Sequence, residues 1–383
     1  ELMEQLETDI VQDAIPSTEI IQNLPDTVLA FDDRHRLRLR RVLHEGSSIN
    51  TEILKVLNHH VHFYGVPKLW CTLSYKRRGG QSSEVASFET LPPNEGSILE
   101  MLTASIATET AKLLTNKSLQ VSEEKMPNLA DERIDKVFTV LGEQLARLHN
   151  ALATEKSSAF APEPFTMHYQ RSIYQTLRSE IRQTIDRLEQ RYGEDEVYSR
   201  QVQKLMNGED RILRLLKTIF TIPMQGMKVR LYGNRDLGSI FFTGERIILT
   251  DFEGDTSKAI SERRLKRSPL RDVAFLCHSI FETVVHAVHR TVPSDADELS
   301  VNLLVEMQYR HIEHLFLESY LRTVEAALVP NTKEAVFPLL KAFALMRGFQ
   351  TLRESIDSDS TCEAELLVIA RAITQMQYPD SLA

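Results

Sequence analysis

Residues 228–274 read KVRLYGNRDLGSIFFTGERIILTDFEGDTSKAISERRLKRSPLRDVA, and this stretch decides the fold. Its pattern predicts a strand, a tight loop and a two-stranded hairpin that ends in Asp251-Phe252-Glu253. An arginine-rich loop follows. A helix is then predicted to begin at Pro269, because proline is favoured in the first turn of a helix. The order of these elements is the basis of the fold assignment below.

The composition limits the classes of protein to which the chain can belong. The chain has 383 residues, 42% of them hydrophobic, which is enough for a sizeable core in two or three domains or lobes. Its net charge of −9 argues against a general nucleic-acid partner, which would need clustered lysine and arginine. The apolar runs are too short to cross a membrane, and no signal peptide is expected. Since the first residue is not methionine, we expect a fragment or a processed product.

The three cysteines, Cys71, Cys277 and Cys362, are far apart in the sequence. Their spacing matches no zinc site, so it predicts free thiols in the reducing environment of the cytoplasm.

The pattern of hydrophobic residues predicts a small β-rich lobe followed by a large helical lobe. Residues 1–25 are interpreted as a lead-in helix and linker, and residues 26–95 as the N-terminal lobe. That lobe is predicted to hold strands at 27–31, 36–43, 69–75 and 85–91, with a helix at 45–60.

Residues 96–383 are predicted to form the helical C-terminal lobe, with the hairpin at 228–255 inserted in it. Asn207-Gly208 is a candidate break in one helix. The predicted helices cover 98–114, 131–153, 166–192, 194–220, 269–290, 298–328, 332–355 and 363–376.

Several strings resemble the maltokinases, including those fused behind trehalose synthase. They are DFEG at 251–254, SERR at 261–264, SPLRDVA at 268–274, LPPNEGS at 91–97, LGEQLARLH at 141–149 and FAPEPF at 160–165. The resemblance implies an α+β, two-lobed fold of the protein-kinase-like (aminoglycoside-phosphotransferase-like) type. It also implies ATP and Mg²⁺ as cofactors and maltose as the substrate, which such enzymes convert to maltose 1-phosphate.

The resemblance places a magnesium site after the second strand of the hairpin. Asp251 matches the metal-binding aspartate, and a carboxylate at a strand end suits a hard cation. The second metal ligand of the family, a glutamine, is here Ser239, whose hydroxyl is a poorer ligand with a shorter reach.

The position of the catalytic aspartate holds Asn234. An amide can orient a hydroxyl group but cannot accept its proton. Asp236, two residues further on, could act as a displaced base, or it could simply form a turn after Gly233.

The nucleotide clamp also departs from the family. The expected lysine of the N-terminal lobe is absent from residues 26–42, and Arg38 is the best candidate for its place. Arginine binds phosphate through a planar fork, with a geometry different from that of an ammonium group. Glu52 matches the glutamate that pairs with this cation. The alternative is an edge strand of alternating leucine and arginine whose arginines stay in solvent.

The expected substrate contacts are altered as well. Glu253 could contact the substrate or could form an ion pair with an arginine of the following loop, such as Arg263 or Arg264. The segment 348–362, which corresponds to a sugar-binding segment, has no aromatic residue after Phe349.

Two functions therefore remain. The first is a degenerate kinase that serves as a structural or regulatory module of a trehalose synthase, because the changed positions are those that perform chemistry. The second is an active ATP- and Mg²⁺-dependent maltokinase. Neither interpretation involves a nucleic acid or a membrane.

Overall fold

The computed structural model describes residues 19–22, 26–30, 34–91, 93–115, 131–192, 199–219, 224–358, 369–371 and 373. The chain divides into two compact units. Unit 1 comprises Glu1–Gly96 and Ser239–Leu265, and unit 2 comprises Ser97–Gly238 and Lys266–Ala383.

Unit 1 is built on a five-stranded antiparallel sheet with the order β1-β2-β3-β5-β4. The strands are β1 (Glu19–Gln22), β2 (Thr27–Ala30), β3 (His35–Leu39), β4 (Lys68–Lys76) and β5 (Ser82–Thr90). The N-terminal segment 1–25 therefore contributes a strand at its end rather than only a helix and linker. The remainder of that prediction, apart from β1, lies outside the described residues.

One helix, α1 (Ile49–Lys55), connects β3 to β4 and continues as a π-helical turn over Val56–His60. The helix begins four residues later than predicted. The reason is its cap: the Ser48 side chain accepts a hydrogen bond from the Thr51 N–H, which satisfies one of the free donors of the first turn.

A hairpin of β6 (Ile240–Phe242) and β7 (Ile247–Leu249) also belongs to unit 1, as does a short helix over Ile260–Arg263. The sequence analysis assigned this hairpin to the helical C-terminal lobe, whereas the structure groups it with the N-terminal unit. The Leu249 N–H donates to the Gly65 carbonyl at 2.9 Å, and the Glu95 N–H donates to the Phe242 carbonyl at 2.7 Å. These backbone bonds attach the hairpin to the N-terminal unit.

Unit 2 is helical, and its predicted helices are confirmed to within a few residues at most ends. They are α2 (Ile98–Thr115), α3 (Glu132–Thr154), α4 (Met167–Tyr192), α5 (Ser199–Ile219), α6 (Leu270–Thr291), α7 (Glu298–Thr323) and α8 (Lys333–Asp357). None of the helices in the described part of the chain is long and apolar enough to cross a membrane.

Two details of the helix prediction need comment. The proposed break at Asn207-Gly208 is wrong, because α5 runs through it; a glycine inside a helix costs only about 1 kcal/mol, which packing can supply. The predicted helix at 363–376 falls mostly outside the described residues.

The thiols of Cys71 and Cys277 are free, as the sequence predicts, whereas Cys362 lies outside the described residues. Burial raises the pKa of the Cys277 thiol well above its ordinary value, which makes this thiol a poor nucleophile.

Helices α3 and α7 approach each other closely at Gly142. A β-carbon there would lie 2.9 Å from the Tyr320 nitrogen and even closer to the Phe316 carbonyl and the Ser319 hydroxyl. We expect Gly142→Ala to lower the free energy of unfolding by about 1–3 kcal/mol, because the helices must move apart. Gly208→Ala in α5 is the matched control: nothing lies within 4 Å of its β-carbon, so it should be neutral or stabilise by up to about 1 kcal/mol. Denaturant titration measures both, and equal effects would contradict the close approach.

Candidate functional site

Strand β3 directs its arginines into the interior of unit 1. Arg36 is 6% exposed and Arg38 is fully buried, whereas the leucines between and after them are partly exposed. The strand lies between β2 and β5 and is not an edge. The alternative of an edge strand with solvated arginines is therefore wrong. The reason is that carboxylates on neighbouring segments neutralise the guanidinium groups. Without these carboxylates, the free-energy cost of burying the guanidinium groups would be prohibitive.

Arg38 faces the predicted metal ligand. Its Nη1 lies 3.4 Å from Asp251 Oδ1 and 3.9 Å from Asp26 Oδ2, and its Nε lies 3.9 Å from Glu89 Oε1. Burial by itself would lower the pKa of the guanidinium, but the combined attraction of Asp251, Glu89 and Asp26 raises that pKa above its ordinary value. Arg38 is therefore a permanent cation next to Asp251.

The neighbouring arginines complete a network that we call the arginine–carboxylate cluster; with Arg38 it comprises Arg36, Arg40, Arg263, Asp26, Glu84, Glu89, Asp251 and Glu253. Arg36 Nη2 lies 2.9 Å from Glu89 Oε2, and Arg40 Nη2 lies 2.9 Å from Glu84 Oε1. Burial would raise the pKa of Glu89, but the surrounding arginines lower it instead. The arginines thus hold Glu89 in the ionised state.

Asn50, at the start of α1, connects the cluster to the segment after β7. Its Nδ2 donates to Glu89 Oε1 at 2.6 Å, and its Oδ1 accepts from the Phe252 N–H at 3.1 Å. Its own N–H donates to Glu253 Oε1 at 3.2 Å. The sequence analysis missed Asn50 and the partners of Arg38. The available signal was that three arginines on one face of a strand require carboxylates nearby.

Asp251 has a distinctive backbone conformation. Its φ is 60°, in the left-handed region that aspartate tolerates better than most residues. The preceding residue, Thr250, donates from both its N–H and its hydroxyl to the Ser239 carbonyl, at 3.2 and 2.8 Å. The end of β7 is therefore fixed, and the carboxylate of Asp251 is held toward Arg38.

The surroundings of Asp251 bear on the predicted magnesium site. Magnesium binds oxygen at about 2.0–2.1 Å and prefers carboxylates. No ion of that kind fits on the line between Asp251 Oδ1 and an arginine nitrogen 3.4 Å away. Among the described residues, no group of three or more histidine, cysteine, aspartate or glutamate side chains is arranged to hold a metal. Arg38 therefore takes the side of Asp251 on which Oδ1 lies, and a magnesium site formed by Asp251 and Ser239 stays a prediction.

Glu253 and Glu52 are both engaged with arginines. Glu253 lies 3.0 Å from Arg263 and 3.1 Å from Arg40 and is 7% exposed. The ion pair of Glu253 with Arg263 is thus observed, and a contact of Glu253 with substrate stays a prediction. Glu52 forms an ion pair with Arg264 of the arginine-rich loop, whose Nε lies 3.2 Å away. Its part in holding a nucleotide also stays a prediction.

In unit 2, the loop that carries Asn234 and Asp236 is stabilised by its own side chains. Asn234 Oδ1 accepts from the Asp236 N–H, and Asp236 Oδ1 accepts from the Gly238 N–H, both at 2.9 Å. Asp236 is exposed. The turn-forming interpretation of Asp236 therefore has direct support, while its role as a displaced base stays a prediction.

Asp272, near the start of α6, accepts hydrogen bonds from the backbone that leads into the same loop. Its carboxylate accepts from the Tyr232 N–H at 2.7 Å and from the Gly233 N–H at 3.2 Å. It also lies 3.0 Å from Nε2 of His149, whose Nδ1 lies 2.9 Å from the Tyr320 hydroxyl. An acidic residue in the first turn of a helix is favoured by the helix dipole; the structure adds that Asp272 positions the backbone just before Asn234.

The predicted sugar-binding segment is the end of α8 as far as Asp357, and residues 359–362 lie outside the description. Arg347 and Arg235 each lie 3.3 Å from Glu354, and Thr351 Oγ1 lies 3.0 Å from His278 Nε2. Thr351 and Glu354 of this segment thus pair with side chains of unit 2 that lie outside the segment.

No protein-family model matches the sequence. Solved structures do match it. A glucosamine kinase in complex with glucosamine, ADP and inorganic phosphate has a TM-score of 0.66 at 15% identity, over 94% of this chain and 80% of that one. Crystal form A of glucosamine kinase gives 0.65 at 16% identity, over 100% and 81%. This chain has a kinase-like fold. A choline kinase from Cryptosporidium parvum Iowa II reaches only 0.44 at 12% identity, over 96% and 90%, and supports no further conclusion.

The predicted α+β class, with a small sheet-bearing N-terminal part and a large helical part, is therefore confirmed. The resemblance to maltokinases is confirmed at the level of the kinase-like fold. The identity of 15–16% carries no conclusion about substrate.

Proposed function

We propose that this chain is a kinase-fold protein that has lost phosphoryl transfer and serves as a structural or regulatory module. Its resemblance to maltokinases points to α-glucan metabolism, with a trehalose synthase as the partner. The observation that carries the first part is the buried Arg38 guanidinium, 3.4 Å from Asp251. The partner rests on the resemblance alone.

The electrostatic cost of a metal at Asp251 supports this proposal. A divalent cation about 5 Å from a guanidinium is repelled by about 7 kcal/mol at an effective dielectric constant of 20. A dissociation constant of 1 mM corresponds to only about 4 kcal/mol of binding free energy. The repulsion from Arg38 alone is thus larger than the binding free energy of a weak metal site, and the carboxylates of the arginine–carboxylate cluster would have to offset it unless Arg38 moves away.

The loop of unit 2 weakens the chemistry further. Asn234 cannot accept a proton, and loss of a general base typically costs about 10²–10⁴ in rate. Asp236, the remaining candidate base, accepts from the Gly238 N–H at 2.9 Å and so already stabilises the turn.

The second candidate is an active ATP- and Mg²⁺-dependent maltokinase. One observation favours it: a glucosamine kinase with the same fold was solved with ADP and inorganic phosphate. In this case the exposed Asp236 would act as the base, and Arg38 would have to turn from Asp251 to the nucleotide phosphates.

A thermal-shift titration separates the two candidates. Nucleotide at one hundred times its dissociation constant would stabilise the native state by about 2.7 kcal/mol. We expect ATP with Mg²⁺, at millimolar concentrations, to leave the melting temperature unchanged. A clear increase, together with turnover of maltose that is lost in Asp236→Ala, would establish the active enzyme instead.

The partner is tested separately, by sedimentation of the chain with a purified trehalose synthase at micromolar concentrations. Absence of a complex would remove the trehalose synthase from the proposal and leave the loss of catalysis intact.

A further inference from the structure

Strand β4 is an open edge of the sheet in unit 1. It pairs with β5 on one side and is last in the strand order. On its other side, the Leu69 N–H donates to Asn58 Oδ1 at 2.7 Å. From Trp70 to Lys76, the described part of the chain places no further strand or backbone partner against it. An edge of this kind presents backbone donors and acceptors to a polypeptide that could pair with it.

The same strand exposes three large apolar side chains. Trp70 is 52% exposed, Leu73 57% and Tyr75 59%. Single exposed apolar residues are ordinary, but three within six residues of an open strand mark a surface that gains by being covered.

The charge of this edge is opposite to that of the chain. Lys68, Lys76, Arg77 and Arg78 lie at the two ends of β4, in a protein with a net charge of −9. Lys68 lies over the Trp70 ring, 4.1 Å from its centroid. Within the described part of the chain, none of the four forms an ion pair with a carboxylate, so they are available to an acidic partner.

We propose that β4 is a docking edge for an extended segment of a partner protein whose side chains alternate between carboxylate and apolar. Such a segment would add a sixth strand: its backbone pairs with β4, its apolar side chains cover Leu73 and Tyr75, and its carboxylates face the cations at both ends. The inference goes beyond the proposed function, because it holds whether or not the protein binds nucleotide.

A second copy of this chain is a poorer occupant of the edge. Antiparallel pairing of two β4 strands would bring Lys68 of one copy against the cations around Lys76 of the other, and parallel pairing would align like with like. Like charges opposite each other destabilise a strand pair. The irregular register of β4 at Leu69/Cys71 and Leu73/Ser74 is a further obstacle to self-pairing.

The test uses the full chain and a synthetic peptide of nine residues, the length of β4, that alternates glutamate with valine. Trp70 is the only tryptophan, so its fluorescence reports binding at this edge without a label. We expect a saturable change in its emission. Methylation of the peptide nitrogens at one set of alternate positions should abolish binding, while methylation at the other set should be tolerated, because alternate residues face β4.

Charge reversal provides the matched control. Arg77→Glu with Arg78→Glu should weaken binding about tenfold or more. Lys156→Glu with Arg290→Glu changes the net charge equally at exposed positions of unit 2 and should leave binding unchanged. The proposal is overturned by absence of binding at millimolar peptide, by equal binding of a lysine–valine peptide, or by indifference to methylation. Self-association that is lost in the Arg77/Arg78 variant would overturn it in favour of a second copy.

Discussion

Replacing Arg38 by alanine is expected to lower the free energy of unfolding by about 3–5 kcal/mol, the usual result of removing one partner from a buried ion pair. The guanidinium is fully buried and lies within 4 Å of Asp251, Glu89 and Asp26. Its loss leaves these carboxylates without one of their cations. Denaturant titration of both proteins gives the difference, and a loss below about 1 kcal/mol would show that the cluster does not depend on Arg38.

The same variant should acquire a response to divalent cations. Without Arg38, Asp251 and Glu89 together form an acidic site that Mg²⁺ or Mn²⁺ can neutralise, so either ion should raise the melting temperature. Arg36→Ala is the matched control, because Arg36 is also buried on β3 but its recorded ion pair is with Glu89 and not with Asp251. It should be destabilised and stay indifferent to metal. Equal metal responses in the two variants would contradict the assigned role of Arg38.

Replacing Asp272 by alanine is expected to have an effect of similar size. Three donors lose their acceptor: the N–H groups of Tyr232 and Gly233, and Nε2 of His149 if that nitrogen carries the proton. A buried donor without a partner costs about 1–3 kcal/mol, so we expect a total loss of about 3–5 kcal/mol. Denaturant titration measures it, and hydrogen exchange at Tyr232 and Gly233 should accelerate in the same variant.

Asp297→Ala is the control for this prediction. Asp297 also accepts from a backbone N–H, that of Ser300 at 2.9 Å, but at an exposed helix start. Its loss should cost about 1 kcal/mol, as for other helix caps. If the two variants were equally destabilised, Asp272 would act only as a helix cap, and its hydrogen bonds to Tyr232 and Gly233 would not stabilise the loop.

The position of Arg38 was predictable, whereas its surroundings were not. The alternation of leucine and arginine in residues 36–41 predicts a strand and separates two faces, but it does not say which face is covered. That depends on Asp26, Glu84, Glu89 and Asp251, which come from three other segments of the chain. A periodic pattern contains no information on such long-range partners.

Asp251 was located because its string DFEG is distinctive, yet its state could not be predicted. A carboxylate at a strand end suits a metal or an arginine equally well until the neighbouring strand is placed. Asp272 illustrates the same limit. Its position in the first helical turn follows from the helix predicted to begin at Pro269, but the backbone N–H groups that it accepts from lie about 40 residues earlier.

The helix boundaries show where local signals suffice. Helices α2, α3 and α4 begin and end within a residue or two of the prediction, because long stretches with regular apolar spacing specify them. Helix α1 is shorter than predicted, because the cap at Ser48 depends on residues that the apolar pattern ignores.

The proposed loss of phosphoryl transfer depends on Arg38 acting as the cation for Asp251. Electron paramagnetic resonance of Mn²⁺ in the presence of ADP measures directly how much of the ion the unmodified chain binds. We expect the unmodified protein to leave the spectrum of Mn²⁺ with ADP unchanged from that recorded without protein, and Arg38→Ala to diminish it. Stoichiometric binding of Mn²⁺ by the unmodified protein, abolished in Asp251→Asn, would contradict the account.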